Sequence, residues 1–316
     1  MRLIVLIAAL AASAAAFAQG FPSRAVTIVV PYPPGGLIDI VARLIQPRLQ
    51  TELGQSVVVE NRSGAGGNVG AEWVAKATPD GHTLLLANPS LGISPAMYAR
   101  LGYSSLKDFA YVGIYGTVPN VLVVNPRLPA TVPDFIAYVR QHPGKLNYGS
   151  PGYGTSPQMS TELFKAMTNT FIVHIPFRGS GPAQAAMLSG EIDLMFDHLP
   201  PQLPHIKSGK VRALAVTSLK RSTALPDVPT LDEVGLRGYE VTAWFGLAAP
   251  AATPRETVLK LNQALNQTTE DAKVREALES RGATIVRHAP EDALAFVKSE
   301  VEKWAPVVKR AGVVPD

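Results

Sequence analysis

The stretch that decides the fold is VTIVVPYPPGGLID, residues 26–39. Its first five residues are apolar or β-branched, which is typical of a buried strand. Residues 31–36 follow as a turn in which prolines fix the backbone and glycines let another molecule approach the N–H groups. From Leu37 onward, apolar residues recur at helical spacing. The stretch therefore predicts a strand, a tight loop and a helix, which is the repeating unit of α/β sheets.

The same unit recurs along the chain. Further strands are predicted at residues 56–60, 83–87, 110–116, 119–125, 146–149, 171–175, 192–196 and 211–217. Further helices are predicted to end near 76 and 189, to begin near 131 and 253, and to cover 156–167, 270–281 and 290–311. Strands that alternate with helices predict a mostly parallel sheet with helices on both faces. The helix near residue 253 is expected to begin with a capping box of Thr253 and Glu256.

The N-terminus has the layout of a secretory signal peptide. Residues 1–2 give a positive start, residues 3–12 form an apolar run, and residues 16–18 carry alanine at both ends. This arrangement predicts cleavage before Gln19 and export to the periplasm. A retained membrane anchor is disfavoured, because a bilayer core needs roughly 20 apolar residues. Removal of 18 residues from 316 leaves 298, which suggests about two domains of roughly 150 residues each.

Composition excludes several classes of protein and site. The chain has no cysteine, so disulfides, thiol catalysis, cysteine metal sites and a lipid-modified cysteine are excluded. The formal net charge of +4 is spread along the sequence without a Lys/Arg block, which disfavours nucleic-acid binding. No later apolar run is long enough to predict a membrane span. A mild positive balance is compatible with a small anionic ligand.

Three loops between strands and helices are candidate ligand sites, because ligands of open α/β sheets bind beyond the carboxyl ends of the strands. The first loop is residues 31–36, where free N–H groups at a helix start favour an anion. Asp39 lies in the first turn of the helix, where its carboxylate would accept hydrogen bonds from free N–H groups or hold a water. The alternative interpretation is a rigid turn in which Asp39 only interacts with the helix dipole.

The second loop contains Gly152 and Gly154 and precedes a predicted helix. Thr155 or Ser156 is expected to cap that helix, and Gln158 is expected to complete a capping box with Thr155. The loop would then offer several N–H and hydroxyl donors at one helix start. An ordinary helix cap is an equally good interpretation.

The third loop, residues 177–182, places Arg178 at another strand-to-helix junction. Arg178 would either pair with a carboxylate or be a solvated surface charge. Asp197 and His198 follow the predicted strand 192–196 and are expected to face the same cleft. A structural turn aspartate is the alternative for Asp197.

Motifs of several enzyme classes are absent from the sequence. The glycine loops do not fit G-x-G-x-x-G, and there is no P-loop Lys-Ser/Thr, H-E-x-x-H or G-x-S-x-G. The six histidines have no metal-ligand spacing. We therefore expect a binding protein without metal or cofactor rather than an enzyme.

Seven short motifs follow one another along the chain. They are VVPYPPGG (29–36) with Asp39, VENRSGAGGNVG (59–70), PDGHTL (79–84), DLMFD (193–197), LAVTS (214–218), LPDVPT (225–230) and WFGL (244–247). In this order, over a match from about residue 21 to residue 313, the chain resembles the Bug-type (Bordetella uptake gene) periplasmic receptors of tripartite tricarboxylate transporters.

The resemblance implies a type II periplasmic-binding-protein-like fold, with two doubly wound α/β lobes and a ligand cleft between them. Lobe 1 would comprise residues 19–120 and 246–316, and lobe 2 would comprise residues 121–245. Crossing segments near residues 119–124 and 240–248 would form the hinge.

The resemblance also implies that one carboxylate is held between the first and second loops by backbone N–H groups, hydroxyls and waters. Gly179 and Ser180 would add a further turn beside the ligand, and Asn88 and Ser90 a loop on the first-lobe side. The candidate ligand-binding residues are Tyr32, Pro34, Gly35, Gly36, Asp39, Asn88, Ser90, Gly152, Tyr153, Gly154, Thr155, Ser156, Gln158, Arg178, Gly179, Ser180 and Asp197.

Two residues depart from the family pattern. Gln158 stands where many relatives carry histidine, and Tyr153 stands where a smaller or amide residue is often found. Ligand identity therefore does not transfer from any one relative. Tyr153 would either stack on an aromatic acid or merely cover the cleft.

The expected function is capture of a small organic anion, a mono- or dicarboxylate and possibly an aromatic one, for a tripartite tricarboxylate-type transporter. The implied partners are this ligand and membrane transporter subunits, while the receptor itself is a monomer without membrane insertion. A periplasmic sensor that presents the solute to a signalling receptor is the alternative. A secreted hydrolase is less favoured, because nucleophile and metal motifs are missing.

Overall fold

Strands and helices alternate along residues 20–312, which the computed structural model describes. The predicted signal peptide lies outside these described residues. The strands are β1 (Val26–Val30), β2 (Val57–Asn61), β3 (Thr83–Ala87), β4 (Phe109–Val124), β5 (Asn147–Ser150), β6 (Val173–Pro176), β7 (Leu194–His198), β8 (Arg212–Val216), β9 (Thr242–Pro250) and β10 (Thr284–Ile285). The α-helices are α1 (Leu37–Leu53), α2 (Asn68–Ala75), α3 (Ser90–Met97), α4 (Val132–Gln141), α5 (Ser156–Thr168), α6 (Ser180–Ser189), α7 (Leu199–Lys207), α8 (Arg255–Glu270), α9 (Ala272–Glu279) and α10 (Pro290–Ala311).

The strands pair in the order β2-β1-β3-β9-β4-β7-β5-β6, and β8 and β10 also pair with β4. The pairs of β1 with β2 and β3, and of β5 with β6 and β7, are parallel. The pairs that β4 and β9 make are antiparallel. The prediction of a mostly parallel sheet is therefore wrong for its centre. There, β4 leads the chain from one lobe into the other and β9 leads it back, so the two strands run in opposite directions.

Strand β4 is one continuous strand of 16 residues, where the sequence predicts two. Its first part, up to Pro119, pairs with β9, and its last part, from Asn120, pairs with β7 and β8. Pro119 has no N–H to donate to a neighbouring strand, and it lies where β4 changes its pairing partner from β9 to β7 and β8. The Asn120 N–H donates to the Thr217 hydroxyl at 2.8 Å. One unbroken strand thus connects the two lobes.

Helix α8 begins differently from the prediction. Its first residue is Arg255, the preceding Pro254 takes the capping position, and no side chain caps the first turn. The predicted capping box of Thr253 and Glu256 is therefore wrong. Thr253 lies one residue too early, because a capping side chain must be adjacent to the first helical residue.

The long C-terminal helix α10 packs against both lobes. Val297 lies in a buried cluster with Trp244 of β9, while Trp304 lies in a second cluster with Phe196 of β7. Between them, the buried Glu300 carboxylate accepts the indole N–H groups of Trp244 and Trp304, each at 3.1 Å. No helix within residues 20–312 combines the length and apolar character needed to cross a membrane.

Candidate functional site

A cavity lies between the lobes, and the empty space in it and in the solvent at its opening is about 420 Å³. The first lobe contributes the loop before α1 and the start of α3. The second lobe contributes the loop before α5, the start of α6 and the end of β7. The lining residues are Tyr32, Pro33, Gly36, Leu37, Ile38, Asn88, Pro89, Ser90, Pro151, Thr155, Ser156, Ser180 and His198.

Five helices begin at this cavity. Helices α1, α3, α5, α6 and α7 each contribute a lining residue from their first turn or from the position just before it. The first N–H groups of a helix have no partner within the helix and carry partial positive charge. Among the described residues that line the cavity, none is Lys or Arg. Such a lining is suited to an anion, which helix N-termini and hydroxyls rather than a charged side chain would hold.

Asp39 in the first turn of α1 binds protein groups and does not line the cavity. Its carboxylate accepts the Gly35 N–H at 3.0 Å, the Arg43 Nε–H at 3.0 Å and the Asn61 amide at 2.9 Å. Burial raises the pKa of Asp39, but the hydrogen bonds from Arg43, Asn61 and Gly35 outweigh it and lower the pKa below its ordinary value. These contacts favour the interpretation of Asp39 as a structural residue of a rigid turn.

Tyr32 fixes the first loop to its neighbours. Its hydroxyl donates to the Gly66 carbonyl at 2.8 Å and lies 3.3 Å from the Asn88 side-chain oxygen. The same Asn88 oxygen accepts the Ser90 hydroxyl at 2.8 Å and the Ser90 N–H at 3.1 Å. The first-lobe half of the cavity is therefore held in place by its own hydrogen bonds before a ligand arrives.

The second loop is held by side-chain caps. The Thr155 hydroxyl caps α5 by accepting the Gln158 N–H at 3.5 Å, and it donates to the Gly152 carbonyl at 2.8 Å. The predicted capping box is wrong by one residue, because the Gln158 side chain accepts the Gly154 N–H at 2.8 Å rather than that of Thr155. Gln158 is fully buried and lies outside the cavity lining.

Asp197 and His198 occupy the last two positions of β7, which extends beyond its predicted end. Successive side chains of a strand point to opposite faces. His198 accordingly lines the cavity, whereas Asp197 is buried away from it. The Asp197 carboxylate accepts the Ser180 hydroxyl at 3.2 Å and the Gln184 and Gln202 amides at 2.9 Å each. Asp197 thus positions Ser180, and through it the start of α6.

A larger outer chamber of about 1260 Å³, open to solvent, adjoins the cavity. Arg178 is exposed and lines this chamber but not the cavity. The lobes touch at its edge, since a Cβ placed on Gly66 would lie 2.1 Å from the Tyr153 carbonyl oxygen. A Cβ on Gly179 would likewise lie 3.1 Å from Pro33. The structure therefore has the two lobes in contact over the mouth of the cleft.

The candidate residues from the sequence divide into three groups. Those that line the cavity are Tyr32, Gly36, Asn88, Ser90, Thr155, Ser156 and Ser180. Those that line only the outer chamber are Gly152, Tyr153, Arg178 and Gly179. Those that line neither are Pro34, Gly35, Asp39, Gly154, Gln158 and Asp197.

Sequence reasoning left out five lining residues, namely Pro33, Leu37, Ile38, Pro89 and Pro151, whereas His198, which was expected to face the cleft, lines the cavity. For Leu37 and Ile38, the available signal was their position in the first turn after the Pro/Gly loop. Strand alternation separates His198 from Asp197, but this signal becomes usable only once the end of β7 is known. Within residues 20–312, no group of three or more His, Cys, Asp or Glu side chains is arranged to hold a metal ion.

Comparison with known proteins identifies the family. A family model described as tripartite tricarboxylate transporter family receptor matches residues 41–313. The chain belongs to this family. The receptor is 38% identical to BugT of Bordetella pertussis over 311 residues, which cover 98% of this chain and 95% of BugT. The predicted Bug-type resemblance is thereby confirmed.

Solved structures have the same fold as this receptor. Rpa4515 of R. palustris with adipate has a TM-score of 0.90 and 39% identity, covering 94% of this chain and 100% of that one. MatC of Rhodopseudomonas palustris with bound malate has a TM-score of 0.87 and 37% identity, covering 91% and 100%. Structures of periplasmic binding proteins are among the matches, which confirms the predicted two-lobed α/β fold.

Proposed function

We propose that this receptor binds a small dicarboxylate in the cavity between its lobes and delivers it to the membrane subunits of a tripartite transporter. The observation that carries the proposal is the convergence of five helix N-termini on a cavity whose described lining residues include no Lys or Arg. Such a site favours an anion with several acceptor oxygens. Rpa4515 and MatC, whose folds it shares, hold adipate and malate.

The ligand would be bound from both lobes. Gly36 lies at the start of α1, and Ser180 Oγ lies 3.7 Å from where a Cβ of Gly36 would be. A carboxylate beside them would accept N–H groups of α1 from one lobe and the Ser156 hydroxyl from the other. Charge-assisted hydrogen bonds contribute about 1.5–3 kcal/mol each. Because both lobes supply donors, binding favours the closed arrangement over an open one.

The hinge follows from the crossing strands. Lobe 1 would comprise residues 19–120 and 246–316 and lobe 2 residues 121–245. The change of pairing partner of β4 between Pro119 and Asn120 supports this division. Small changes of backbone angles there would rotate the lobes about β4 and β9.

We further propose that residues 1–18 are a signal peptide cleaved before Gln19, and that the mature receptor is a periplasmic monomer without enzymatic activity. Membership of a family of transporter receptors supports transport over sensing and over hydrolysis. The missing nucleophile motifs argue in the same direction.

A binding screen tests the function. The mature protein is titrated with adipate, malate, acetate and benzoate, and adipamide serves as the uncharged control for adipate. At 100 times its dissociation constant, a bound acid should stabilise the fold by about 2.7 kcal/mol, measured as a rise in melting temperature. Adipamide should give no rise. If none of the acids shifts the melting temperature, the receptor does not bind this class of ligand.

A further inference from the structure

His198 is the histidine among the described residues that line the cavity. It ends β7 and precedes α7, and its side chain is nine-tenths buried, with 10% of its surface exposed. Residues from both lobes line the same cavity. A ligand that fills the cavity therefore meets the imidazole with little water between them.

The hydrogen bonds of His198 are incomplete. Its Nε2 lies 3.3 Å from the Ser156 hydroxyl, which also lines the cavity. Its Nδ1 is buried and has no hydrogen-bond partner among the described residues. The nearest carboxylate oxygen, on Asp197, is 3.6 Å from Nδ1, beyond hydrogen-bond distance. Nδ1 lies towards the buried Asp197 carboxylate, so a ligand in the cavity would meet the ring on its Nε2 side, beside the Ser156 hydroxyl.

The charges around His198 are few. Asp197 is the charged group that affects it, and its carboxylate already accepts three other donors. Tyr32 on the opposite lobe lines the same cavity, and burial raises its pKa, so the phenol stays neutral. Burial lowers the pKa of His198, and Asp197 opposes the shift without cancelling it. The imidazole is therefore neutral near pH 7 in the empty cavity.

We propose that His198 contacts the bound acid and takes up a proton as the acid binds, which gives the cavity a positive charge only when a ligand occupies it. This inference rests on the proposed function and deepens it. The proton comes from solvent and resides on the imidazole, and no covalent bond of the ligand forms or breaks. With a proton on His198, the site favours a dicarboxylate in which both carboxylates are ionised in the closed cleft.

The physical basis is the mutual effect of two opposite charges. An anion within a few ångströms stabilises the imidazolium and raises the pKa of His198 in the complex above its value in the free receptor. Protons are then taken up at any pH between these two pKa values. Affinity rises as pH falls through the bound-state pKa and levels off below the free-state pKa. Each pKa unit of difference contributes about tenfold in affinity.

Calorimetry tests the inference directly. The probe is the acid of the screen with the largest thermal shift, and titrations are run at pH 7 in phosphate and in Tris, whose ionisation enthalpies differ. We expect the apparent binding enthalpy to depend on the buffer in the direction of proton uptake. Affinity should rise several-fold from pH 8 to pH 6, while the ligand carboxylates stay ionised.

The variant His198→Asn should still bind, but its affinity should not change between pH 8 and pH 6 and its enthalpy should not depend on the buffer. His205→Asn on the adjoining helix α7, outside the cavity lining, is the matched control and should keep both effects. If His198→Asn does not fold, His198→Gln replaces it. A ¹⁵N NMR titration of the His198 ring then compares its pKa in free and bound wild-type receptor.

The possible outcomes separate the two proposals. If the probe binds the wild type without proton uptake, or if His198→Asn keeps the pH dependence, the inference about His198 is wrong and the receptor function stands. If no acid binds, the proposed receptor function and the inference about His198 are both wrong. Proton uptake that His198→Asn removes and His205→Asn keeps would support the inference.

Discussion

The two loops that meet at the cavity perform the same task with different means. In the first lobe, the loop before α1 is fixed by prolines, by the buried Asp39 and by the Tyr32 hydroxyl. In the second lobe, the loop before α5 is fixed by the caps that Thr155 and Gln158 provide. Both present a helix N-terminus to the cavity. The difference shows that a helix start can be held open for an anion either by an ion-paired turn or by neutral side-chain caps.

The loops also differ in how they take part in closure. The second loop contacts the first lobe directly, because the Tyr153 carbonyl lies against Gly66. The first loop contacts the second lobe through Pro33, which lies against Gly179. Opening of the cleft would break these contacts. Substitutions at these contacts should therefore affect closure of the cleft, whereas substitutions at the hydrogen bonds that fix each loop should affect its stability.

The largest effect is expected from Gly66→Ala. The added methyl would lie 2.1 Å from the Tyr153 carbonyl oxygen, so the mouth of the cleft could not close as in this structure. We expect affinity for the bound acid to fall about 100-fold, or about 2.7 kcal/mol, by calorimetry. Gly54→Ala is the matched control, because Gly54 and Gly66 have φ values of 65° and 64° and a Cβ on Gly54 meets no atom within 4 Å. Equal affinities of the two variants would show that this contact has no role in closure.

Asp39→Asn is expected to lower the free energy of unfolding by about 2 kcal/mol at pH 7, because charge-assisted hydrogen bonds to Arg43 and Asn61 are lost. In the folded wild type the pKa of Asp39 is lowered. Its contribution is therefore present above the unfolded-state pKa of about 3.9 and is lost as pH falls through the folded-state pKa. Urea denaturation at pH 7 and pH 3 should show a smaller loss of stability on acidification in the variant than in the wild type. An unchanged loss would mean that Asp39 does not stabilise the turn as an anion.

Thr155→Ala removes the cap of α5 and should cost about 1 kcal/mol of stability. Thr155→Ser keeps the hydroxyl and should retain most of it. Because Thr155 lines the cavity, the alanine variant should also bind the acid more weakly, whereas Thr155→Ser should bind nearly as the wild type does. If Thr155→Ala and the wild type unfold at the same urea concentration, the second loop is not held by this cap.

Arg178→Gln is expected to have the smallest effect. The side chain is exposed and lines only the outer chamber, so its interaction with a ligand in the cavity is screened by solvent. We expect a loss of affinity of less than about threefold, mainly through a slower association rate. Stopped-flow measurements should show that this change in association rate depends on salt concentration. A tenfold or larger loss that persists at high salt would place Arg178 in direct contact with the ligand.

Much of the site follows from local sequence. The Pro/Gly loop, the Thr155 cap and the alternation of strands and helices depend on neighbouring residues, and the sequence alone indicated them. Four of the candidate residues that line the cavity are Tyr32, Ser90, Ser156 and Ser180. The motifs also indicated the family, which the comparison with known proteins confirms.

The residues that sequence reasoning placed at the site but the structure places elsewhere share one property. Asp39, Gln158 and Asp197 are polar residues close to a ligand loop, and each one binds the protein rather than the cavity. The hydrogen-bond partners of these side chains determine that they point into the protein rather than into the cavity. Asn61 lies 22 residues from Asp39 in the chain, and the Asp197 partner Ser180 lies 17 residues away. Such pairs form when separate helices and strands pack together, so the local sequence around either residue does not indicate its partner.

By itself, the sequence determined the alternating elements, the rigid ligand loops and the family, because these depend on residues close together in the chain. Tertiary structure decided the continuous strand β4, the convergence of five helix starts and the exposure of His198 rather than Asp197 to the cavity. The physical reason is that strand register and side-chain direction are fixed by pairing with distant strands, such as Asn120 beside His198. A shift of one residue would exchange those two side chains, and no local pattern distinguishes the two registers.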